Sequence, residues 1–528
     1  MAQWNKSTQD YLNQERTLHE VYMRCDEYGN VISPSACGES AFGEPLVVQL
    51  TPRVQGDAIY GLDPRNFETF NYSNSGIATH ENAMFKVGCG TDANSYGVIR
   101  STNFLKYHPG RGAVARFTAS FSENPVGFTQ RAGLFNQENA LQIGYAHTNG
   151  QFGILRASGG KAHIHQFTFT ALANGDVTVT INGTAFTAVT LSAGSIAGNI
   201  AQLVKGLRAQ ALFNALYLAE GDQTKICFLA TSLGFQSGAE SITSSGTITY
   251  THSDLQSGVA QTENWTFQED FNLDKLDGTG YSGITLDPSK LNVYQINFRW
   301  LGAGEMRYAI ENPLNGDMMF FHHEHYSNAN DEPHLQNPSM KIGYVAANLG
   351  SPTSGVVTCR GASFLGAIEG STRQVRLPYS ASGSRTDAMN SPGSLYHILS
   401  VKNQLIYQKK ANTRDLLIKR ITASVNTVGD PATVYVYLNP TLTNELLWTS
   451  VNEFNASLYA TQSSAGLFIL GAQSKSPVAT FFVSNGDTLN VDVTELGINI
   501  PPNNYLSIVM SSTSNMTSAK AALIYVED

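Results

Sequence analysis

Short runs in which apolar and polar residues alternate one by one, each closed by glycine, proline or asparagine, recur from residue 42 to the C-terminus and restrict this chain to a β-rich architecture. Ala113 to Phe121 alternates cleanly in its middle, with Val114, Arg116 and Thr118 set against Ala115, Phe117 and Ala119. Leu291 to Trp300 keeps the same period, as do Glu305 to Ile310 and Met318 to Tyr326. Residues two apart share one face of a strand, so each run offers one face to a core and one to water. Many short strands joined by frequent turns make a sandwich or a barrel. Composition agrees: 42% of the 528 residues are hydrophobic and only 14% charged. That is below the ~25% charged of ordinary domains, so solubility falls to Ser, Thr, Asn, Gln and Gly.

A chain of this length is expected to divide into several domains. Residues 1–41 form an N-terminal segment, in which Gln9 to Met23 has helical spacing. Tyr11, Leu12, Leu18 and Tyr22 fall roughly on one stripe and, with Trp4, are the candidates for an assembly anchor. Such a lone helix needs a surface to pack on, either its own domain or a neighbouring subunit. Residues 42–162 and 262–375 share one strand style and are expected to form a single discontinuous β-sandwich. Residues 163–261 differ in texture. Val177 to Thr187 carries Asn182-Gly183 between alternating runs, a strong hairpin signal. Ser195 to Leu212 then places Ile196, Ile200, Leu203, Val204 and Leu207 on one helical stripe. Two further strands follow, Lys225 to Thr231 and Gly246 to Thr251, giving an inserted small α+β module. Residues 376–394 are rich in Ser, Gly, Pro and Asn and read as a linker. Residues 395–528 return to short strands, a second sandwich of jelly-roll type.

Several function classes are disfavoured. The net charge is −9 with no basic cluster, whereas a nucleic-acid grip needs a concentrated basic footprint. Cys25, Cys37, Cys89, Cys227 and Cys359 are scattered and odd in number. No disulfide framework or CxxC zinc site is therefore expected, only reduced thiols. The first residues lack an apolar signal-peptide core and no segment is apolar for long enough to span a bilayer, so neither secretion nor membrane insertion is expected.

Candidate chemistry is sparse. His322-His323-Glu324-His325 could ligate a transition metal, but on a strand His323 and His325 face one way and His322 and Glu324 the other. A third ligand would have to come from elsewhere, His334 being one source. Cross-strand hydrogen bonding is the simpler reading, and no metal or cofactor is expected. Asp274 to Gly280 resembles a calcium loop but lacks its alternating ligands and distal Glu, so a tight turn is expected. Neither a phosphate-binding glycine loop nor a Gly-x-Ser-x-Gly elbow is present. Trp300, Arg299 and Tyr308, with His323 and His325, are candidates for a glycan or partner surface, because amphipathic rings stack on sugar faces while their polar tips hydrogen-bond. The bland reading of the same residues is a sandwich core with one polar face.

Beyond these local patterns, the chain resembles virion structural proteins of marine and freshwater tailed phages. The likeness rests on Met1-Ala2-Gln3-Trp4-Asn5-Lys6 with Asp10-Tyr11-Leu12, on Tyr60-Gly61-Leu62-Asp63-Pro64-Arg65, and on Leu286 to Asn292, Phe298 to Gly302 and His322 to His325. The discontinuous sandwich looks like a concanavalin-type fold, and residues 163–261 look like modules inserted in phage structural proteins. The resemblance implies a mainly all-β, non-enzymatic tail, fibre or capsid-surface component located in the virion. Its partners would be other virion proteins and copies of itself, with a trimer expected. A host-glycan-binding adhesin is the alternative, and a polysaccharide depolymerase the third reading. The group supplies no catalytic residues to carry over.

Overall fold

The computed structural model describes residues 50–73, 75–233, 239–350, 355–370, 376–386, 389–440, 446–452, 455–461 and 476–528, and the backbone pairing of Arg24–Cys25 with Val31–Ile32. The anchor candidates Trp4, Tyr11, Leu12, Leu18 and Tyr22 lie outside these residues. Among the described residues no helix is long and apolar enough to cross a membrane.

Two antiparallel sheets form the first sandwich, and each draws strands from both sides of the insertion. A seven-stranded sheet runs in the order Thr262–Phe267, Phe152–Ser158, Ala140–Tyr145, Phe128–Phe135, Lys341–Asn348, Tyr96–Ser101 and Phe67–Tyr72. The opposing nine-stranded sheet centres on Ala113–Phe121, which pairs with Asn292–Phe298 on one side and with Val357–Gly361 and Ser363–Glu369 on the other. Period two decides what fills the space between them. From Ala113–Phe121 the residues Ala113, Ala115, Phe117, Ala119 and Phe121 enter one core with Phe85, Leu134, Leu141, Tyr294, Ile296 and Tyr344. Arg116, on the other face, donates to Gln295 Oε1 at 2.9 Å. Burying rings of this size contributes roughly 1.5–3 kcal/mol each.

Residues 162–256 fold as the inserted module, two four-stranded sheets and two helices around a separate core that includes Phe167, Val179, Leu203, Phe213 and Phe228. Asn182 (φ 51°) and Gly183 (φ 76°) form the tight turn between Gly175–Ile181 and Thr184–Ala185. Positive φ at both positions is the hairpin geometry that Asn-Gly favours. Helix Ile196–Arg208 is capped by Ser195, whose Oγ accepts from the Gly198 N–H at 3.2 Å. Ile200, Leu203, Val204 and Leu207 are its buried stripe. The helix is shorter than its periodicity suggests, because the chain breaks at Ala209 and restarts as Ala211–Leu216. Strand Ala162–Leu172, central in its sheet, escaped the sequence reading.

The C-terminal sandwich packs Tyr379–Arg385, Met516–Glu527, Leu416–Thr427 and Thr488–Asp492 against a six-stranded sheet built around Tyr396–Asn403 and Tyr505–Ser512. The segment 376–394, expected to be a linker, corrects to structure. Tyr379–Arg385 pairs along its whole length with Met516–Glu527, and Ala381 enters the core. Its Ser and Gly residues sit on a strand because alternate positions face solvent and need no bulk.

Buried ion pairs tie the three units together. Lys402 Nζ of the C-terminal sandwich lies 2.7 Å from Glu220 Oε1 of the module, and Lys106 Nζ of the first sandwich lies 3.4 Å from Asp415 Oδ2. The Tyr96 hydroxyl donates to the Ala215 carbonyl and Gln137 Nε2 to the Ala230 carbonyl, so the module leans on the outer face of the seven-stranded sheet.

Candidate functional site

The outer face of the seven-stranded sheet follows from the same alternation that built the core. With Ile99, Ala132, Leu134, Leu141, Ile143, Ile342 and Tyr344 turned inward, the intervening residues turn outward: Phe70; Tyr96, Val98 and Arg100; Arg131 and Phe135; Gln142; Val345 and Ala347; Glu263 and Trp265. Gly133 and Gly343 face each other across the two central strands, so no side chain fills the middle of the sheet. The inserted module, through Thr231, and the segment that leaves it, through Ala260–Gln261, wall one side. The result is a groove of about 720 Å³, within the ~300–1,000 Å³ usual for ligand sites.

Its lining combines flat rings with fixed donors. Trp265 and Phe135 pack on Ala140, Leu155 and Ala157, and the Phe267 ring, outside the groove, lies parallel to Trp265, 6.2 Å between centroids and 3° apart in plane. Trp265 Nε1 donates to Glu263 Oε2 at 2.9 Å, and Arg131 Nη1 donates to Glu263 Oε1 at 3.0 Å. Across the groove the Arg100 guanidinium lies 5.0 Å over the Phe70 ring and donates through Nε to Glu68 Oε2 at 2.7 Å. Lys341 Nζ reaches the other oxygen, Oε1, at 2.6 Å. Burial raises the Glu68 carboxyl, but Lys341 and Arg100 outweigh it and hold it below the ordinary carboxylate range. Burial likewise pulls Lys341 down to about 8, with Glu68 opposing. Gln142 Nε2, buried beneath the groove, has no hydrogen-bond partner. An unsatisfied buried donor of this kind costs about 1–3 kcal/mol, which a ligand acceptor or a water would relieve. Among the described lining residues Glu263 is the sole carboxylate, and both its oxygens are engaged. The arrangement offers a ring face beside fixed donors, and among the described lining residues no second carboxylate pairs with Glu263.

The surface expected around Trp300 is partly assembled. Glu305 gathers Arg307 (Nε to Oε2, 2.9 Å), Arg299 (Nη2 to Oε2, 3.8 Å), His323 (Nδ1 to Oε1, 3.2 Å) and His325 (Nδ1 to Oε1, 3.6 Å). Burial lowers His323 more than Glu305 raises it. His323 and His325 do share a face, but their companion is Glu305, just before the neighbouring strand Met306–Glu311, and not His334. His334 is fully buried, with Nδ1 2.9 Å from the Gly302 carbonyl. Glu305 already balances two guanidiniums, which makes it a poor metal ligand. Tyr308 is fully buried, which corrects its place in a glycan surface: a ring inside the core cannot stack on a ligand. Trp300 is half-buried against the core and spends its Nε1 on the Leu335 carbonyl at 2.8 Å. At the expected turn, Asp274 accepts from the Leu276 and Ser282 N–H groups, at 2.8 and 2.9 Å.

The groove residues were missed because no single stretch announces them. The nearest signal was Glu263-Asn264-Trp265-Thr266-Phe267, a period-two run with rings on one face.

No family model and no curated protein matches the chain. Solved structures similar to it include lectin II from Ulex europaeus (7% identity, TM-score 0.23, 60% of this chain and 100% of that one). Others are arcelin-5, a lectin-like defence protein from Phaseolus vulgaris (7%, 0.21, 60% and 99%), and an engineered GH43 glycoside hydrolase (8%, 0.26, 65% and 48%). At TM-scores this low nothing about ligand or activity is carried over, and the fold stands on its own strand order: a mainly all-β chain with an antiparallel sandwich interrupted by an α+β module, followed by a second sandwich.

Proposed function

We propose that this chain is a non-catalytic binding protein that holds an oligosaccharide in the groove of its seven-stranded sheet. One observation carries the reading: the Trp265 ring and the buried Gln142 Nε2, which has no partner among the described residues, line the same open groove. A sugar ring has apolar C–H faces that stack on indole and hydroxyl edges that accept from amide and guanidinium donors. Gln142, Arg131 and Arg100 supply those donors. Among the described lining residues the one carboxylate, Glu263, is already tied to Arg131 and Trp265, which argues against the acid pair of a depolymerase. Assembly into a virion is the setting implied by the sequence resemblance. Immunogold labelling of particles tests it separately.

Glycan-array screening followed by calorimetry tests the groove. Trp265→Ala is expected to weaken binding about 10-fold or more, as loss of an aromatic contact of ~1–3 kcal/mol requires, with Trp265→Phe recovering part of it and far-UV circular dichroism unchanged. Equal affinity in wild type and Trp265→Ala, or release of reducing sugar by the wild type, would sink this reading.

A further inference from the structure

A second polar cluster lies at the root of the inserted module, apart from the groove lining. Strand Ala162–Leu172 carries His163 and His165, two residues apart and therefore on one face. Its antiparallel neighbour Ile248–Gln256 carries His252 and Asp254 in the same relation. The register sets His165 opposite Asp254 and Phe167 opposite His252, which brings the four side chains together. Asp254 Oδ1 lies 3.1 Å from His163 Nε2, 3.1 Å from His165 Nδ1 and 3.4 Å from His252 Nε2. Ligand atoms of His163, His165 and Asp254 all fall within 4.8 Å of one another.

Hydrogen bonding alone serves the buried His165 poorly. Although His165 Nδ1 lies 3.1 Å from Asp254 Oδ1, neither ring nitrogen of this fully buried histidine has a well-directed hydrogen-bond partner among the described residues. A short N···O separation with poor aim is what two ligands show when both point at a third body between them. Metal bonds of ~2.0–2.1 Å impose ligand–ligand edges of about 3.3–3.4 Å around a tetrahedral centre, close to the three separations observed.

The geometry points to His163, His165 and Asp254 as a site for a divalent transition-metal ion of the Zn²⁺ class, with His252 as an outer fourth ligand. Imidazole nitrogens with one carboxylate suit zinc, cobalt or nickel and not the all-oxygen shells of calcium or magnesium. Asp254 and His252, 35% and 25% exposed, leave a path for the ion. The two strands are those by which the module leaves and rejoins the sandwich, Ala162 following Phe152–Ser158 and Gln256 preceding Thr262–Phe267. A bound ion would staple this root and fix the module that walls the groove. The site stands on its own residues and does not depend on what the groove binds.

The test is a Co²⁺ titration of the full-length chain after chelator treatment, followed by displacement with Zn²⁺. Wild type is expected to develop visible ligand-field bands that saturate and then bleach as Zn²⁺ replaces Co²⁺. His163→Gln and Asp254→Asn are each expected to lower affinity more than about 100-fold, since even outer-shell partners are worth ~10–100-fold. Glu305→Gln, at the other carboxylate–histidine cluster, is expected to leave it unchanged. Should His163→Gln misfold, Asp254→Asn, with its partly exposed side chain, decides. Absence of Co²⁺ binding by wild type, binding indifferent to Asp254→Asn, or binding lost in Glu305→Gln overturns the site.

Discussion

Acidification should loosen this protein through its buried histidines, and His397 is the clearest case. It lies on Tyr396–Asn403 inside the C-terminal sandwich, fully buried, with Nε2 2.7 Å from Ser400 Oγ, which in turn lies 2.6 Å from Ser507 Oγ. Burial, helped by the nearby Arg385 charge, lowers its pKa from 6.5 to about 4. The unfolded chain therefore takes up this proton near pH 6.5, while the folded chain resists until about pH 4. Over that window the unfolded state binds more protons, so stability rises with pH: it is complete above about pH 6.5 and lost progressively as pH falls toward 4. The shift corresponds to roughly 3 kcal/mol at about 1.4 kcal/mol per pH unit. Urea denaturation of wild type and His397→Gln, followed from about pH 7.5 to about pH 4.5, should show the variant less stable at the upper end. The gap should then narrow by about 2–3 kcal/mol toward the lower end. Two stability curves that run parallel across the window would refute the reasoning, because the variant would then have removed no proton-linked term.

Other perturbations probe the joints and the core. Glu220→Gln leaves Lys402 charged, buried and without its counter-ion, and should cost about 3–5 kcal/mol; thermal melting and limited proteolysis would read this, and an unchanged melting temperature would contradict it. Phe121→Ala, at a ring 1% exposed between the two sheets, should cost about 3–5 kcal/mol in denaturant unfolding. Gly183→Ala should cost about 1–2 kcal/mol through its left-handed φ of 76°, read as a lower melting temperature.

Local pattern carried much of the architecture. Ala113–Phe121 lies where alternation put it, as do the Asn182-Gly183 turn and the stripe of helix Ile196–Arg208. Each is decided within one segment by period, turn chemistry or a cap. The reading failed where neighbours outvote the segment. Tyr379–Arg385 reads as linker by composition but becomes a strand because Met516–Glu527 offers it a free edge. Tyr308 carries a polar tip, yet the opposing sheet buries it.

The candidate sites divide the same way. The sequence alone could place His323 and His325 on one face, since that is a property of any strand. It could likewise have put His163 with His165 and His252 with Asp254. It could not bring Glu305 to the first pair or join the other two pairs, because each meeting depends on strand register. Nor could it assemble a groove whose lining comes from strands as distant as Phe67–Tyr72 and Thr262–Phe267. Alternation fixes which side of a strand a residue occupies; which strands become neighbours is decided only when the two sheets close over a shared core.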